Sequence, residues 1–232
     1  NPSLPYLSFL CINFDAPVVK EAASWFLGGV FLNYNSSYLE RALEQMLDEA
    51  DSPEVTRFLR AVDVRIDGFR VEKVPEGRGQ RVFVRHDVGG RGYELRLSEE
   101  SAGTQKLMGL AAFLLAALER GGTVVVDELD AKLHPKLLRY VILLFKDPEV
   151  NKHGAQLIFS SQDVSTMRND VFRRDEIWFA ARGEGEASQL WSLADIHEAN
   201  GNLVSKNAAF DKQYLSGRYG ADPYLTRIEE WD

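Results

Sequence analysis

Cysteine is almost missing from this chain: Cys11 stands alone among 232 residues. An internal disulfide is therefore excluded, and a reducing, cytoplasmic setting is expected. No apolar run reaches the roughly 18 residues that a membrane-spanning helix needs. The longest, Leu107 to Leu118, reads as a buried helix, and no membrane contact is expected. The opening stretch NPSLPYLSFLCINF has neither a basic flank nor a small-residue cleavage site, so no secretory leader is expected. It also lacks a starting Met, which suggests a trimmed product. The four histidines, His86, His134, His153 and His197, have no metal-ligand spacing with one another or with Cys11. There is no G-x-S-x-G, no CxxC pair and no acidic cluster suited to nuclease chemistry. No Gly-Lys dipeptide occurs either, so the phosphate loop G-x-x-x-x-G-K-[ST] is absent from these residues. A formal charge of -8 and a pI near 5.2 argue against a surface that holds nucleic acid by charge alone.

What is present suits a globular chain of one large domain or two small ones, with 45% hydrophobic and 27% charged residues. Apolar spacing predicts helices over 16–31, from Ser36 through SSYLERALEQMLDEA, and over SPEVTRFLRAV with Ser52 as cap and Pro53 at its first position. These make residues 1–61 a helical segment. Alternation in RVFVRHD and YELRL about the turn VGGRG predicts a small antiparallel sheet over 62–97. Residues 98–195 then alternate between the two patterns: a helix from about Gly103 to Arg120, a strand at Thr123 to Asp127, a helix from Pro135 to Phe145, the strand QLIFSS, a helix near Val164, and EIWFAA. Continuous apolar strands separated by helices indicate a parallel α/β sheet. A hairpin turning at GEGE closes this region, Trp178 is expected in its core, and the tail 196–232 reads as irregular.

Two stretches carry chemistry. Val124-Val125-Val126 runs into Asp127-Glu128, and a strand buried on both faces ends at the sheet edge where open α/β folds bind ligands. There Asp127 can hold the hydration shell of Mg, and Glu128 can polarise an attacking water. The competing reading is a capped strand end. About twenty residues earlier, EESAGTQKL leads a small-residue loop into a long helix, whose first backbone N–H groups attract phosphate and where Ser101 adds a hydroxyl. Taken alone, Ser101 is an ordinary N-cap.

In combination these residues resemble a known family. SAGTQ resembles a variant of the ABC-ATPase signature loop. It is followed at the expected interval by TVVVDE as the Walker B strand, LDAKLHP as the next loop and LIFSSQD as the switch strand. FRRDEIWFAARGEGEASQLWSLADI and YLSGRYGADPY also resemble that group's C-terminal stretch. The chain looks like the C-terminal portion of bacterial AAA-family ATPases with an ABC-type head, relatives of the structural-maintenance-of-chromosomes (SMC), RecF and overcoming-lysogenization-defect ATPases. The likeness is good over roughly Val62 to Leu225 and weak before it. The resemblance implies an α/β fold, the C-terminal lobe of a P-loop ABC-type head, with parallel strands flanked by helices, a small antiparallel sheet and N-terminal helices. Residues 62–232 would form that lobe.

By the same resemblance, ATP and Mg are the cofactors. Ser101, Ala102, Gly103 and Thr104 would form the nucleotide-binding loop, with Ser101 and Gly103 reaching the γ-phosphate bound on an opposite protomer. Asp127 would hold Mg through water, Glu128 would be the general base, and His134 would lie at the dimer interface where ABC proteins usually carry an aspartate. The switch strand commonly ends in Thr-Thr-His-Asp; here it reads Ser160-Ser161-Gln162-Asp163. Gln162 can donate a hydrogen bond but cannot become cationic, so slow turnover is expected. With no phosphate loop in hand, ATPase activity is expected only if an upstream lobe or a partner supplies one.

A homodimer through the ATP site, an effector protein and nucleic acid are the partners this implies, with a role in DNA maintenance or phage defence. Between Arg60 and Arg96, nine basic residues face six acidic ones, a candidate nucleic-acid stripe or simply a solvated sheet face. Two rivals remain: an interaction scaffold derived from an ATPase, and the nucleotide-binding subunit of a membrane transporter.

Overall fold

The computed structural model describes residues 17–33, 53–62, 66–73, 80–182, 187–198 and 201–221. The helix expected from Ser36, the Ser52 cap, the GEGE turn and Cys11 lie outside the described residues. The chain divides into two compact units, Asn1–Gln162 and Asp163–Asp232. The architecture is mixed α/β with a parallel sheet, small antiparallel sheets and helices, as expected from the sequence.

In the first unit, helix α1 (Pro17–Gly29) stops at Gly28-Gly29, and Val30–Asn33 continues as strand β1 rather than as the last turn of the helix read from the sequence. Two helix-breaking glycines followed by β-branched and aromatic residues favour the extended form, and a parallel partner captures it. That partner is β5 (Thr123–Val126), which also pairs in parallel with β6 (Gln156–Phe159), giving the order β1-β5-β6. Helix α2 (Pro53–Ala61) starts with proline, carries Glu54 in its first turn and Arg60 in its last, and buries Val55, Phe58 and Leu59.

A meander of β2 (Gly68–Lys73), β3 (Gln80–Val88) and β4 (Arg91–Arg96) forms the antiparallel sheet. Gly89 and Gly90 turn the last hairpin with φ of 62° and 80°, both left-handed as a two-residue turn requires. Phe69 and Val84 oppose one another on the buried face. On the other face the Arg70 guanidinium lies 4.1 Å from the Phe83 ring centroid and pairs with Glu94 at 2.9 Å and Glu72 at 3.3 Å. These carboxylates hold the Arg70 pKa above its ordinary value. One arginine of the proposed basic stripe is therefore already neutralised within the sheet.

Helix α3 (Ala102–Arg120) is the core of this unit: Leu107, Met108, Leu110, Ala111, Leu114 and Ala117 are 0–1% exposed. A helix apolar nearly all round must be covered on several sides. Helix α4 (Pro135–Lys146), with proline at its start, buries Leu138, Val141 and Ile142.

The second unit is built on the hairpin β7 (Trp178–Arg182) and β8 (Ser188–Ser192) and helix α5 (Phe210–Leu215). Its core joins Ile177, Phe179, Leu193, Val204, Phe210 and Tyr219. Phe179 stacks on Tyr214 with centroids 5.8 Å apart. Burial raises the Tyr219 phenol to about 12, and its hydroxyl donates to Gln213 Oε1 at 2.7 Å. Three readings from sequence change here. Trp178 is 58% exposed, because strand alternation turns Phe179 inward and its neighbour outward. Near Val164 there is only a 3-10 turn, Val164–Thr166, whose Asp163 cap binds both the N–H and the hydroxyl of Ser165. The tail folds α5, anchored by Phe210 at 1% exposure.

Candidate functional site

The site assembles at the C-terminal ends of β5 and β6, where the parallel ladder brings residues about thirty positions apart into register. Val126 lies opposite Phe159, so the residues that follow, Asp127-Glu128 and Ser160, emerge side by side. Ser160 Oγ donates to Asp127 Oδ1 at 2.5 Å and accepts the Glu128 N–H at 2.7 Å. The Leu129 N–H donates to Ser160 O at 3.0 Å, and the Ser160 N–H to Val126 O at 3.1 Å. One hydroxyl thus fixes both the Asp127 carboxylate and the backbone of Glu128.

That backbone is unusual. Glu128 has φ 49° and Lys132 has φ 65°, the two non-glycine residues with positive φ among those described. Each costs on the order of 1 kcal/mol relative to ordinary conformations. The turn reverses the chain immediately after β5 and leaves the Asp127 and Glu128 side chains exposed while Leu129 is wholly buried. Leu129 pins the turn to the core.

Helix α3 presents the second element. Ser101 is its N-cap: the hydroxyl accepts the Thr104 N–H at 3.1 Å and lies 2.8 Å from Thr104 Oγ1. Ser101 and Ala102 are exposed, and Gly103 and Thr104 half-buried. Gln105 holds the approach to the helix by donating to Glu100 O at 2.8 Å. At Gly103 the loop after β5 comes close: a Cβ added there would lie 2.8 Å from Lys132 O. The start of α3 and the loop that follows the Asp127-Glu128 turn therefore belong to one neighbourhood.

Between them stands Lys106, whose Nζ donates to Glu128 O at 2.5 Å and Ala131 O at 2.9 Å. Burial lowers its pKa, Asp130 and Glu128 pull it back up, and Lys132 lowers it further. Asp130 accepts the Gln162 N–H on Oδ2 at 3.3 Å, while its buried Oδ1 has no hydrogen-bond partner. Gln162 itself is exposed and enters the site through its backbone. His134 sits at the far end of the loop as the N-cap of α4, its Nδ1 accepting the Lys136 N–H at 3.2 Å.

Sequence reading singled out Ser101, Ala102, Gly103, Thr104, Asp127, Glu128, His134 and Gln162. It missed Lys106 and Asp130 and gave Ser160 no role. Lys106 lies five residues past Ser101 on the helix, and Asp130 two past Glu128, but only the folded chain shows that they meet.

Among the described residues, no group of three or more His, Cys, Asp or Glu side chains is arranged to hold a metal ion alone. The oxygen donors fit a divalent cation of the Mg type, which keeps several waters and uses one or two carboxylates together with substrate phosphates. No helix among those residues is long and apolar enough to cross a membrane.

No curated protein matches the chain. Among solved structures, it is similar to one from "Structural biochemistry of ATP-driven dimerization and DNA stimulated activation of SMC ATPases", with 14% identity and a TM-score of 0.38 over 68% of this chain and 84% of that one. It is also similar to the SmcHead bound to the C-winged helix domain of ScpA, with 15% identity and a TM-score of 0.36 over 66% of this chain. The chain spans 42% of the length of that second structure. A family model described as "AAA domain, putative AbiEii toxin, Type IV TA system" matches residues 8–168, more than half of the chain. The chain belongs to that AAA-domain family.

Proposed function

We propose that this chain is the C-terminal part of an ABC-type ATPase head that binds and hydrolyses ATP between two protomers. The observation that carries the reading is Ser160 Oγ joined at once to Asp127 Oδ1 and the Glu128 N–H. This network orients the Asp127 carboxylate and fixes the Glu128 backbone at one sheet edge, while an N-capped helix of nineteen residues, α3, begins close by. Asp127 would hold Mg through water, with Ser160 orienting its carboxylate. When bound, Mg supplies charge stabilisation for the transferring phosphoryl group. Glu128 would accept the proton of the attacking water. The Ser101 hydroxyl and the first N–H groups of α3 would contact the γ-phosphate of a nucleotide held by the opposing protomer, with Gly103 allowing close approach. Gln162 would donate a neutral hydrogen bond where a histidine would give a charged one.

The chain's own residues provide no phosphate loop, so the loop must come from an upstream lobe or a second chain. Loss of the γ-phosphate on hydrolysis would remove contacts that join the two heads, which makes dimerisation ATP-dependent. A role in DNA maintenance or phage defence is the use we infer for such a cycle. In the complete protein, Glu128→Gln should keep ATP binding, lower hydrolysis by about 10²–10⁴-fold, and trap the dimer. Unchanged phosphate release would overturn the assignment. The second reading, an interaction scaffold, is favoured by Gln162, which cannot become cationic where a histidine could; it predicts no nucleotide-dependent dimer under any condition.

A further inference from the structure

We infer that Lys106 is a positioning residue whose ammonium group holds the left-handed turn at Glu128 and locks it to the nucleotide-binding helix; the inference rests on the reading of Glu128 as the base. The geometry is a small cation cradle. Two carbonyls of the loop after β5, Glu128 O at 2.5 Å and Ala131 O at 2.9 Å, converge on one Nζ from the second turn of α3. Carbonyls three residues apart converge because Glu128 is left-handed and the Ala131 N–H closes a turn onto Glu128 O at 3.1 Å. Glu128 O is thus held by both Lys106 and Ala131. Its amide is held by Ser160 Oγ, so both sides of this strained residue are fixed.

The cradle holds Lys106 against its own burial: desolvation lowers its pKa, Asp130 and Glu128 raise it in part, and Lys132 lowers it again. The Asp130 carboxylate, whose buried Oδ1 has no hydrogen-bond partner, adds an opposite charge near this ammonium. An uncharged side chain of the same length would fill the space and leave Glu128 O and Ala131 O without this donor.

A consequence follows for communication within the site. Ser101 and Lys106 belong to the same helix, whose first turn also packs Gly103 against Lys132 O. A shift of α3 on phosphate contact at Ser101 therefore moves the Lys106 ammonium, and with it the Glu128 turn. Lys106 makes the positioning of the base depend on the position of the nucleotide-sensing helix.

The first test uses the unmodified chain: NMR couplings across hydrogen bonds from Lys106 15Nζ to the carbonyl carbons of Glu128 and Ala131. Couplings to both carbons are expected, and their absence from a Lys106 signal resolved at low temperature would overturn the cradle. A second test compares Lys106→Met with Lys106→Arg. Met should speed hydrogen exchange at the Glu128 and Leu129 amides by about 10-fold or more, leave the β5 amide of Val125 unchanged, and show partial recovery with Arg. Equal exchange at Glu128 and Leu129 in all three proteins would overturn the role.

In the ATPase completed with its phosphate loop, Lys106→Met should lower kcat about 10–100-fold with KM for ATP within about twofold, since the transition state rather than nucleotide binding loses its base geometry. If exchange responds while the unmodified completed protein hydrolyses no ATP, the cradle stands and the ATPase reading falls. If the unmodified protein hydrolyses ATP and the Met variant keeps its full kcat, the positioning role falls and the ATPase reading stands.

Discussion

Replacing Gly103 by alanine sets two magnitudes of opposite sign against each other. Gly103 is the second residue of α3, and in an open helix interior the exchange gains up to about 1 kcal/mol from backbone entropy and propensity. At this position the new Cβ would lie 2.8 Å from Lys132 O, about 0.6 Å inside the 3.4 Å at which ordinary contact begins. The obstacle is backbone and cannot swing away. It belongs to a residue already at φ 65°, and the Leu133 N–H that follows is bound to Asp130 O at 3.0 Å. Two further carbonyls of the same loop are tied to Lys106. Overpacking against a wall that cannot yield falls in the upper part of the usual range, about 2–3 kcal/mol, which exceeds the propensity gain of about 1 kcal/mol and leaves a net loss of about 1–2 kcal/mol. Far-ultraviolet circular dichroism during urea unfolding reads this directly: at slopes of roughly 1–3 kcal/mol per molar urea, the midpoint should fall by about 0.3–2 M. Gly92→Ala is the control, because a Cβ there meets nothing within 4 Å. A Gly103→Ala midpoint equal to or above that of the unmodified protein would refute the close approach between helix and loop.

Ser160→Ala removes a hydroxyl that serves Asp127 and Glu128 together; because the site is exposed, water should limit the stability loss to about 1 kcal/mol, while turnover of the complete ATPase falls at least about 10-fold. Equal losses of kcat and of nucleotide affinity would speak against its proposed role in fixing the Glu128 backbone for catalysis. Gln162→His should raise steady-state hydrolysis about 10-fold by supplying a donor that can carry charge, and a rate unchanged from pH 6 to 8 would count against it. Tyr219 provides a pH signature independent of nucleotide. Its folded pKa is raised to about 12 from an ordinary 10, so the folded state keeps its proton longer than the unfolded chain. Stability from this group is complete below pH 10 and is lost as pH rises from 10 towards 12. Tyr219→Phe should flatten that decline in unfolding measurements, and an equally steep decline in the variant would exclude the phenol as its source.

The elements most legible in the sequence were those whose local signals and tertiary partners agree. Helix α3 carries a Ser101 cap that accepts the Thr104 N–H and an apolar run that ends up buried. The three valines before Asp127 became the central strand of the parallel sheet, and Pro135 opened α4 at its first position. Strand β1 escaped because Val30–Asn33 follows a helix without a change in hydrophobicity; only pairing with β5 distinguishes it. Trp178 was placed inward because period-2 alternation shows that a strand has two faces without saying which one is covered. The residues proposed to carry chemistry stand out as motifs, but the couplings between them do not. Ser160 meets Asp127 across 33 positions, Lys106 meets Glu128 across 22, and Gln162 meets Asp130 across 32. Contacts of that range depend on strand register and on a turn whose sign no local pattern encodes.

The turn itself bears on which reading of this chain is sound. A glycine at position 128 or 132 would adopt φ near 50–65° with little penalty, whereas Glu128 and Lys132 each cost on the order of 1 kcal/mol there. Structural needs alone would be met more cheaply by glycine, since the turn's task of reversing the chain after β5 uses no side chain at either place. The cost at Glu128 is offset by a dedicated set of contacts: Ser160 on its amide, Lys106 and Ala131 on its carbonyl, and Leu129 anchoring the next residue in the core. That bracing holds the Glu128 backbone in one conformation beside Asp127, whose carboxylate accepts from the same serine. A surface for protein contact has little use for such control, because an exposed glutamate can adjust to its partner at no backbone cost. A base that must meet one proton on one water would need such a backbone, and the strained, well-braced Glu128 supports the proposed catalysis over the scaffold.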